Sequence, residues 1–326
     1  MMRVLVPGLV TTIIPVHNRS GMLRDAIDSV LNQTYRPIEI IVVDDGSTDD
    51  TPGIADALAA GHPHEIRVVH QTNHGVGLAR EAGRRIARGE FIQYLDSDDV
   101  LLPRKFEMQV AGLLADPQCS VAYGHTRYRH ADGSVEPRPW KKSGARVATM
   151  FPSFLLSRWW DTPTPLYRAS VCEAAGPWSD LRLEEDWEYD CRIAAQGVRL
   201  HFSEAYVAEV RDHGLDRLCR GDALDPKRLA QRARAHELIY DHASRYGIAP
   251  TSAEMKQFAR ELFLLSRQCG AAGLVAESRK LFILARAAST ETRARGLDFR
   301  IYSLIARILG WSLTGRLACA SDRLRR

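Results

Sequence analysis

The sequence predicts an α/β protein, a mainly parallel sheet flanked by helices with a helical extension behind it, and three observations predict it. Four short β-branched or aromatic runs, "VTTII" (10–14), "IEIIVV" (38–43), "IRVVH" (66–70) and "FIQYL" (91–95), have the composition and length of buried strands. One stretch of helical periodicity separates each run from the next, a spacing that calls for parallel strands joined by right-handed crossovers. Beyond Asp225 the strand signals stop and only helical patterns follow.

Each connection carries its own signals. Between the first two strands Met22, Leu23, Ala26, Ile27, Val30 and Leu31 recur at helical spacing. Before "GIADALAA", Thr51 reads as a cap and Pro52 as the first helical residue. Leu78, Ala79, Ala82 and Ile86 mark the third helix, with Gly89 as its stop. A later helix opens in "EEDWEYDCRIAAQG", placing Trp187, Cys191 and Ala194 on one face and Gly197 at its end.

Composition narrows the functional classes. With 326 residues, 45% hydrophobic and 26% charged, the chain can bury a sizeable core and is neither disordered nor fibrous. A formal charge of +4, without a basic run interleaved with aromatics, gives no reason to expect nucleic acid as a partner. Cysteines 119, 172, 191, 219, 269 and 319 are far apart with no C-x-x-C, which suits reduced thiols in the cytoplasm. No signal peptide and no spanning segment are expected.

Every predicted strand empties into a polar cluster: His17 and Asn18, Asp44 and Asp45, Asn73 and His74, Asp96 to Asp99. In open parallel sheets the ligand crevice lies outside the carboxyl ends of the strands, so these clusters should converge there. "HGVGLAR" lacks the third glycine of a dinucleotide fingerprint, Arg80 standing in its place, and no G-x-x-x-x-G-K-[ST] occurs. "DDGSTDD" has its glycine misplaced for a calcium loop and lacks the terminal Glu. A phosphate-bearing ligand then needs another cation. Mg²⁺ or Mn²⁺ held by one or two strand-end carboxylates would supply it, and Asp96 and Asp98 in D-x-D spacing face the same side of an extended chain. The same three residues also suit an Asp-rich turn, and taken alone they leave both readings open.

Three stretches together resemble family 2 inverting glycosyltransferases of the GT-A fold: "TTIIPVHNRSGMLRDAIDSVLNQTYRPIEIIVVDDGSTDDT", "GVGLAREAGRRIARGEFIQYLDSDDVLLP" and "LRLEEDWEYDCRIAAQG". The resemblance covers about residues 10 to 215. It implies a mixed, mainly parallel sheet. Residues 1–220 would form the glycosyltransferase domain, with 1–103 the nucleotide-sugar half and 104–220 the acceptor half, and 221–326 would be the helical extension. Asp45 would hold the nucleotide base with Pro15, His17 and Asn18 lining its pocket, Asp96 would lie near the ribose, and Asp98 would bind Mn²⁺ or Mg²⁺ at the donor diphosphate. Asp186 would be the catalytic base and Glu185 the alternative, although acids in a first helical turn are also favoured by the helix dipole.

Arg80 remains a donor-site candidate, although Glu81 stands where the family commonly has Asn. Arg211 and His213, in a segment similar to the family's Arg-x-His, would close over the diphosphate or add a metal ligand; they serve equally as solvated loop residues. Trp159 and Trp160, in an aromatic-dense stretch, are acceptor-contact candidates against the alternative of core packing. The implied activity moves a sugar from a nucleotide diphosphate, with a UDP-sugar the expected donor, to a glycan or lipid-linked hydroxyl in cell-envelope polysaccharide synthesis. A nucleotidyltransferase and a non-catalytic nucleotide-sugar-binding membrane adaptor are the alternatives.

In the tail, "SAEMKQFARELFLLSRQ" and "AESRKLFILARAA" read as helices. The last segment places Ile301, Leu304, Ile305, Ile308 and Trp311 along one side and Arg300, Ser303 and Arg307 along the other. Residues 291–326 hold eight arginines against three acids, a net charge of +5. The pattern describes an interfacial helix on anionic lipid, which would place the protein peripherally on the inner face of the cell membrane; packing on the catalytic domain or a second subunit explains the same stripe.

Overall fold

A computed structural model of the chain describes residues 5–213, 222 and 224–324, with 323 and 324 described by backbone alone. Cys219, the side chain of Arg323, Arg325, Arg326 and the expected boundary at 220 and 221 lie outside the described residues. The chain divides into two compact units: 1–150, 158–180 and 196–215 form the first, and 151–157, 181–195 and 216–326 the second.

The first unit is built on one eight-stranded sheet. Its strands are β1 (Val6–Val16), β2 (Ile38–Asp45), β3 (Ile66–Gln71), β4 (Gly89–Tyr94), β5 (Val100–Leu101), β6 (Cys119–Arg129), β7 (Leu166–Arg168) and β8 (Arg199–Arg211), in the order β3-β2-β1-β4-β7-β6-β8-β5. The pairs β1–β2, β1–β4, β2–β3 and β6–β8 are parallel, whereas β7 runs antiparallel to both neighbours and β5 antiparallel to β8. The GT-A-type mixed, mainly parallel sheet is thus present. Its helices are α1 (Ser20–Leu31), α2 (Thr51–Gly61), α3 (Val76–Ile86), α4 (Lys105–Ala115) and α5 (Ala169–Ala175).

Burial follows the apolar periodicity. All eight residues of β2 are buried, as expected for a strand covered on both faces. From α1, Leu23, Ala26, Ile27 and Val30 enter the same core as Val10, Ile14 and Val42. Burying an aliphatic side chain of this size contributes about 1.5–3 kcal/mol each, so the stripe fixes the helix face.

Two helix ends differ from expectation. Asp50, not Thr51, occupies the N-cap of α2, because the Thr51 hydroxyl instead accepts the Arg19 N–H at 3.0 Å. Gly89 does not stop α3: the helix is over at Ala87, which is extended, and Gly89 opens β4 by donating to Thr11 Oγ1 at 2.8 Å.

The second unit is helical: α6 (Glu185–Ala194), α7 (Pro226–Tyr246), α8 (Ala253–Ala271), α9 (Val275–Ala287), α10 (Glu291–Ala294) and α11 (Leu297–Leu324), with a 3-10 turn at Ser153–Leu155. Asp225 and Ser252 cap α7 and α8 through their side chains. α11 breaks at Gly310, whose φ of 80° is open to glycine without strain. Phe299 and Tyr302 pack against Phe263 of α8 and Phe282 of α9.

Candidate functional site

Parallel pairing puts the carboxyl ends of β1 to β4 along one edge of the sheet. Val16 lies opposite Asp44, Asp45 opposite Gln71, and Ile13 opposite Tyr94. The polar clusters that follow these strands are knitted together there. Asn18 donates from its backbone to Ser47 Oγ at 3.0 Å and accepts the Thr48 N–H at 2.8 Å. Gly46 has φ +74°, and a Cβ there would sit 2.8 Å from the Asn73 nitrogen, so only glycine lets these two loops approach. Pro15 is buried, whereas His17 and Asn18 are exposed.

Asp45 is 4% exposed. Its Oδ1 accepts from Gln71 Nε2 at 2.7 Å and the His74 N–H at 2.8 Å, and its Oδ2 accepts the Gly75 N–H at 2.8 Å. A carboxylate has about four acceptor positions, so three donors leave room for one more. Sequence reasoning missed this anchoring of the β3–α3 loop. Beside it, Asp44 accepts from Ser47 at 3.0 Å and contacts His70 Nδ1 at 2.9 Å. Burial pushes the Asp44 carboxyl up, but the bonds from Ser47 and His70 outweigh it and leave the group below its ordinary value.

The acidic run after β4 separates into three environments. Asp96 accepts from Arg80 Nη2 at 2.6 Å, and the Arg80 guanidinium, itself 2% exposed, lies 4.8 Å from the Trp178 ring centre. Asp98 Oδ2 lies 3.0 Å from His213 Nε2, and the Asp98 carbonyl accepts from Arg211 Nε at 2.7 Å. Asp99 is buried and accepts the Arg211 N–H at 3.1 Å. Burial first, and then the charges of Asp98 and Asp96, hold its carboxyl well above the usual carboxylate range. Arg211 also reaches Asp25 through Nη1 at 2.7 Å.

Asp161 is a further acid here that sequence reasoning did not single out. It lies close enough to raise Asp99, and it pairs with Lys141. The neighbouring Thr164 carbonyl accepts from buried Lys105 Nζ at 2.6 Å. No local pattern announces these partners, because they come from distant parts of the chain.

Among the described residues no group of three or more His, Cys, Asp or Glu could hold a metal by itself. Mg²⁺ and Mn²⁺ need fewer protein ligands when substrate phosphates and water complete the shell. Asp98 and His213, an oxygen and a nitrogen donor already 3.0 Å apart, fit that smaller requirement.

The remaining candidates have different surroundings. Trp160 has no exposed surface and packs on Tyr123 with ring centres 5.0 Å apart; Trp159 is 9% exposed, with Lys142 Nζ 5.3 Å from its ring centre. Neither indole presents a broad open face. In the second unit, Asp186 is half-buried in the first turn of α6 and accepts the Trp187 N–H at 2.7 Å, while Glu185 is buried. The acids on either side are tied to α7: Glu184 contacts His236 at 3.1 Å and Arg232 at 3.0 Å, and Glu188 contacts His242 at 2.9 Å. These pairs, too, have no signature in the local sequence.

Residues 11–170 match the family described as "Glycosyl transferase family 2". The glycosyltransferase GlyG of Streptococcus pneumoniae serotype 4 is 34% identical over 127 residues, 39% of this chain and 42% of that protein. The chain spans less than half the length of the curated relatives it matches. Among solved structures, S. aureus TarS 1–349 in complex with UDP-GlcNAc superposes with a TM-score of 0.71 at 17% identity, covering 97% of this chain and 92% of that one. The mannosyltransferase PcManGT from Pyrobaculum calidifontis, in complex with GDP-Man and Mn²⁺, gives 0.55 at 20% identity, covering 97% and 86%. A family 2 match that spans the β1–β4 motifs, joined to a GT-A sheet, places this chain in glycosyl transferase family 2 through residues 11–170.

Proposed function

We propose that the chain transfers a sugar from a nucleotide diphosphate donor, with a UDP-sugar the first choice, to a hydroxyl of a glycan or lipid-linked acceptor, inverting the anomeric carbon. One observation carries the reading. At the strand-end edge of the first unit Asp45 closes β2 and Asp96 and Asp98 follow β4, the two strands that flank β1, and each acid is oriented by polar partners. Relatives lend support: TarS is seen with UDP-GlcNAc, and PcManGT with GDP-Man and Mn²⁺.

In this reading the exposed His17 and Asn18 and buried Pro15 border the base, and the remaining acceptor position of Asp45 takes a base N–H. Arg80 aims Asp96 toward the ribose. Asp98 and His213 would hold Mn²⁺ or Mg²⁺, which when bound neutralises charge on the departing diphosphate. Arg211 adds a fixed positive charge to the same edge. Asp186 takes the proton of the attacking hydroxyl; its partial exposure favours it over buried Glu185. Of the two indoles only Trp159 keeps any exposed surface, so an acceptor would meet its edge rather than stack on an open ring face. Envelope polysaccharide synthesis is the setting that suits such an acceptor.

The test is product analysis with a panel of nucleotide sugars, Mn²⁺ present or chelated. Release of nucleoside diphosphate with a new glycosidic bond is the expected result. Release of pyrophosphate would assign a nucleotidyltransferase, and retained donor binding without turnover would assign a binding protein.

A further inference from the structure

The fold leaves one face of α11 uncovered. At about 100° per residue, Leu297, Ile301, Leu304 and Ile308 fall within an arc of about 60°, and they are 73%, 53%, 58% and 71% exposed. Phe299, Tyr302 and Ala306 occupy the opposite arc and are buried, packing the helix onto its own unit. Internal packing therefore does not account for the exposed stripe. After the break at Gly310, Leu313 and Leu317 are also exposed, at 46% and 52%. No described helix is long and apolar enough to cross a membrane.

The charges beside this face are unbalanced. The three acids of the segment are each paired, Glu291 with Arg295, Asp298 with Arg293 and Asp322 with Arg267 of α8. Arg300, Arg307 and Arg316 are exposed and have no carboxylate partner among the described residues. Arg300 and Arg307 sit on one shoulder of the apolar stripe. Beside the first turn of α11, Lys256 and Arg260 line a small cavity with Phe299 and likewise have no carboxylate partner among the described residues. An anionic lipid headgroup layer offers both acyl chain to the leucines and isoleucines and negative charge to the arginines.

We propose that α11 lies in the plane of an anionic membrane surface, its Leu297–Ile301–Leu304–Ile308 face inserted and Arg300, Arg307 and Arg316 at headgroup level. This assignment is independent of the reaction proposed above.

The experiment is flotation of the full chain with phosphatidylcholine vesicles and with vesicles that also contain phosphatidylglycerol, at low and high salt. The wild type should float with the anionic vesicles and bind more weakly in high salt. The double variant Leu304→Asp/Ile308→Asp, at positions 58% and 71% exposed, should weaken binding at least about tenfold. Arg300→Glu/Arg307→Glu should weaken it by about fivefold for each charge removed. Absence of binding to the anionic vesicles, or binding unchanged in both double variants, overturns the proposal. A concentration-dependent dimer in sedimentation that Leu304→Asp/Ile308→Asp abolishes would give the face to a second copy and also overturn it.

Discussion

Replacing Asp45 by Asn separates what this carboxylate does for the fold from what it does for a ligand. The carboxylate now satisfies Gln71 Nε2 and the backbone N–H groups of His74 and Gly75. An amide has one acceptor oxygen and one NH₂, so the NH₂ must face an N–H donor. If the oxygen keeps Gln71 and His74, the Gly75 N–H is left in a buried bond without an acceptor. A charge-assisted bond is worth about 1.5–3 kcal/mol and an orphaned buried donor costs about 1–3 kcal/mol. These describe overlapping parts of one change, so we expect a loss of about 2–3 kcal/mol in the ligand-free protein. For a unit of this size that lowers the melting temperature by roughly 5–10 °C. Thermal melts in the absence of nucleotide measure the loss, and amide hydrogen exchange localises it to His74 and Gly75. Unchanged melting and unchanged exchange, with nucleotide binding lost, would refute the anchoring role and leave Asp45 a contact to ligand alone.

Three further outcomes follow from the same geometry. Arg80→Met leaves Asp96 without its cation and strips the charge from Trp178; discounted for the partial exposure of Asp96, the cost is about 2 kcal/mol, read as a lower urea midpoint. In Glu184 and Glu188 burial raises the carboxyls, but the histidine and arginine partners outweigh it and depress both below the ordinary value of 4.5. Their contribution to stability is therefore present above pH 4.5 and lost as pH falls through the depressed values; Glu188→Gln should flatten the fall in melting temperature in that acid window, and a parallel fall would count against it. Asp186→Asn should lower the turnover of nucleotide sugar by about 10²–10⁴-fold while donor affinity stays within twofold by titration calorimetry, about the scatter of such measurements; loss of affinity equal to loss of turnover would remove it from the role of base.

Much of the first unit was legible because its signals are local. "IEIIVVDD" is a continuous buried run ending in two acids, and all of it is buried in β2. The place of the D-x-D at a strand end was readable, but not its geometry: β4 ends at Tyr94, the Asp99 N–H closes a turn on the Asp96 carbonyl at 3.1 Å, and Asp96 and Asp98 meet Arg80 and His213 separately instead of facing one side of an extended chain. Partners supplied by distant segments were not readable. The Asp161 and Lys141 pair beside Asp99, and the ties of Glu184 to His236 and of Glu188 to His242, join residues tens of positions apart. Thr51 was misread because its hydroxyl had a competing donor in Arg19, which only the packing of β1 beside β2 brings near. The α11 pattern holds two apolar arcs, Phe299–Tyr302–Ala306 and Leu297–Ile301–Leu304–Ile308. Periodicity found Ile301, Leu304 and Ile308 of the second, without Leu297, but the aromatic cluster of α8 and α9 selected the first for burial. Trp311, expected on the exposed stripe, instead meets Phe282 and Tyr302, because the helix turns at Gly310.

The most direct test of the account is titration calorimetry of UDP into the wild type, Asp98→Ala and His213→Ala, each with Mn²⁺ and with chelator. Asp98 and His213 as a joint cation seat predict UDP affinity that depends on Mn²⁺ in the wild type and loses that dependence in both variants. Equal UDP affinity with Mn²⁺ and with chelator in the wild type, or a dependence on Mn²⁺ that survives in both variants, would contradict it.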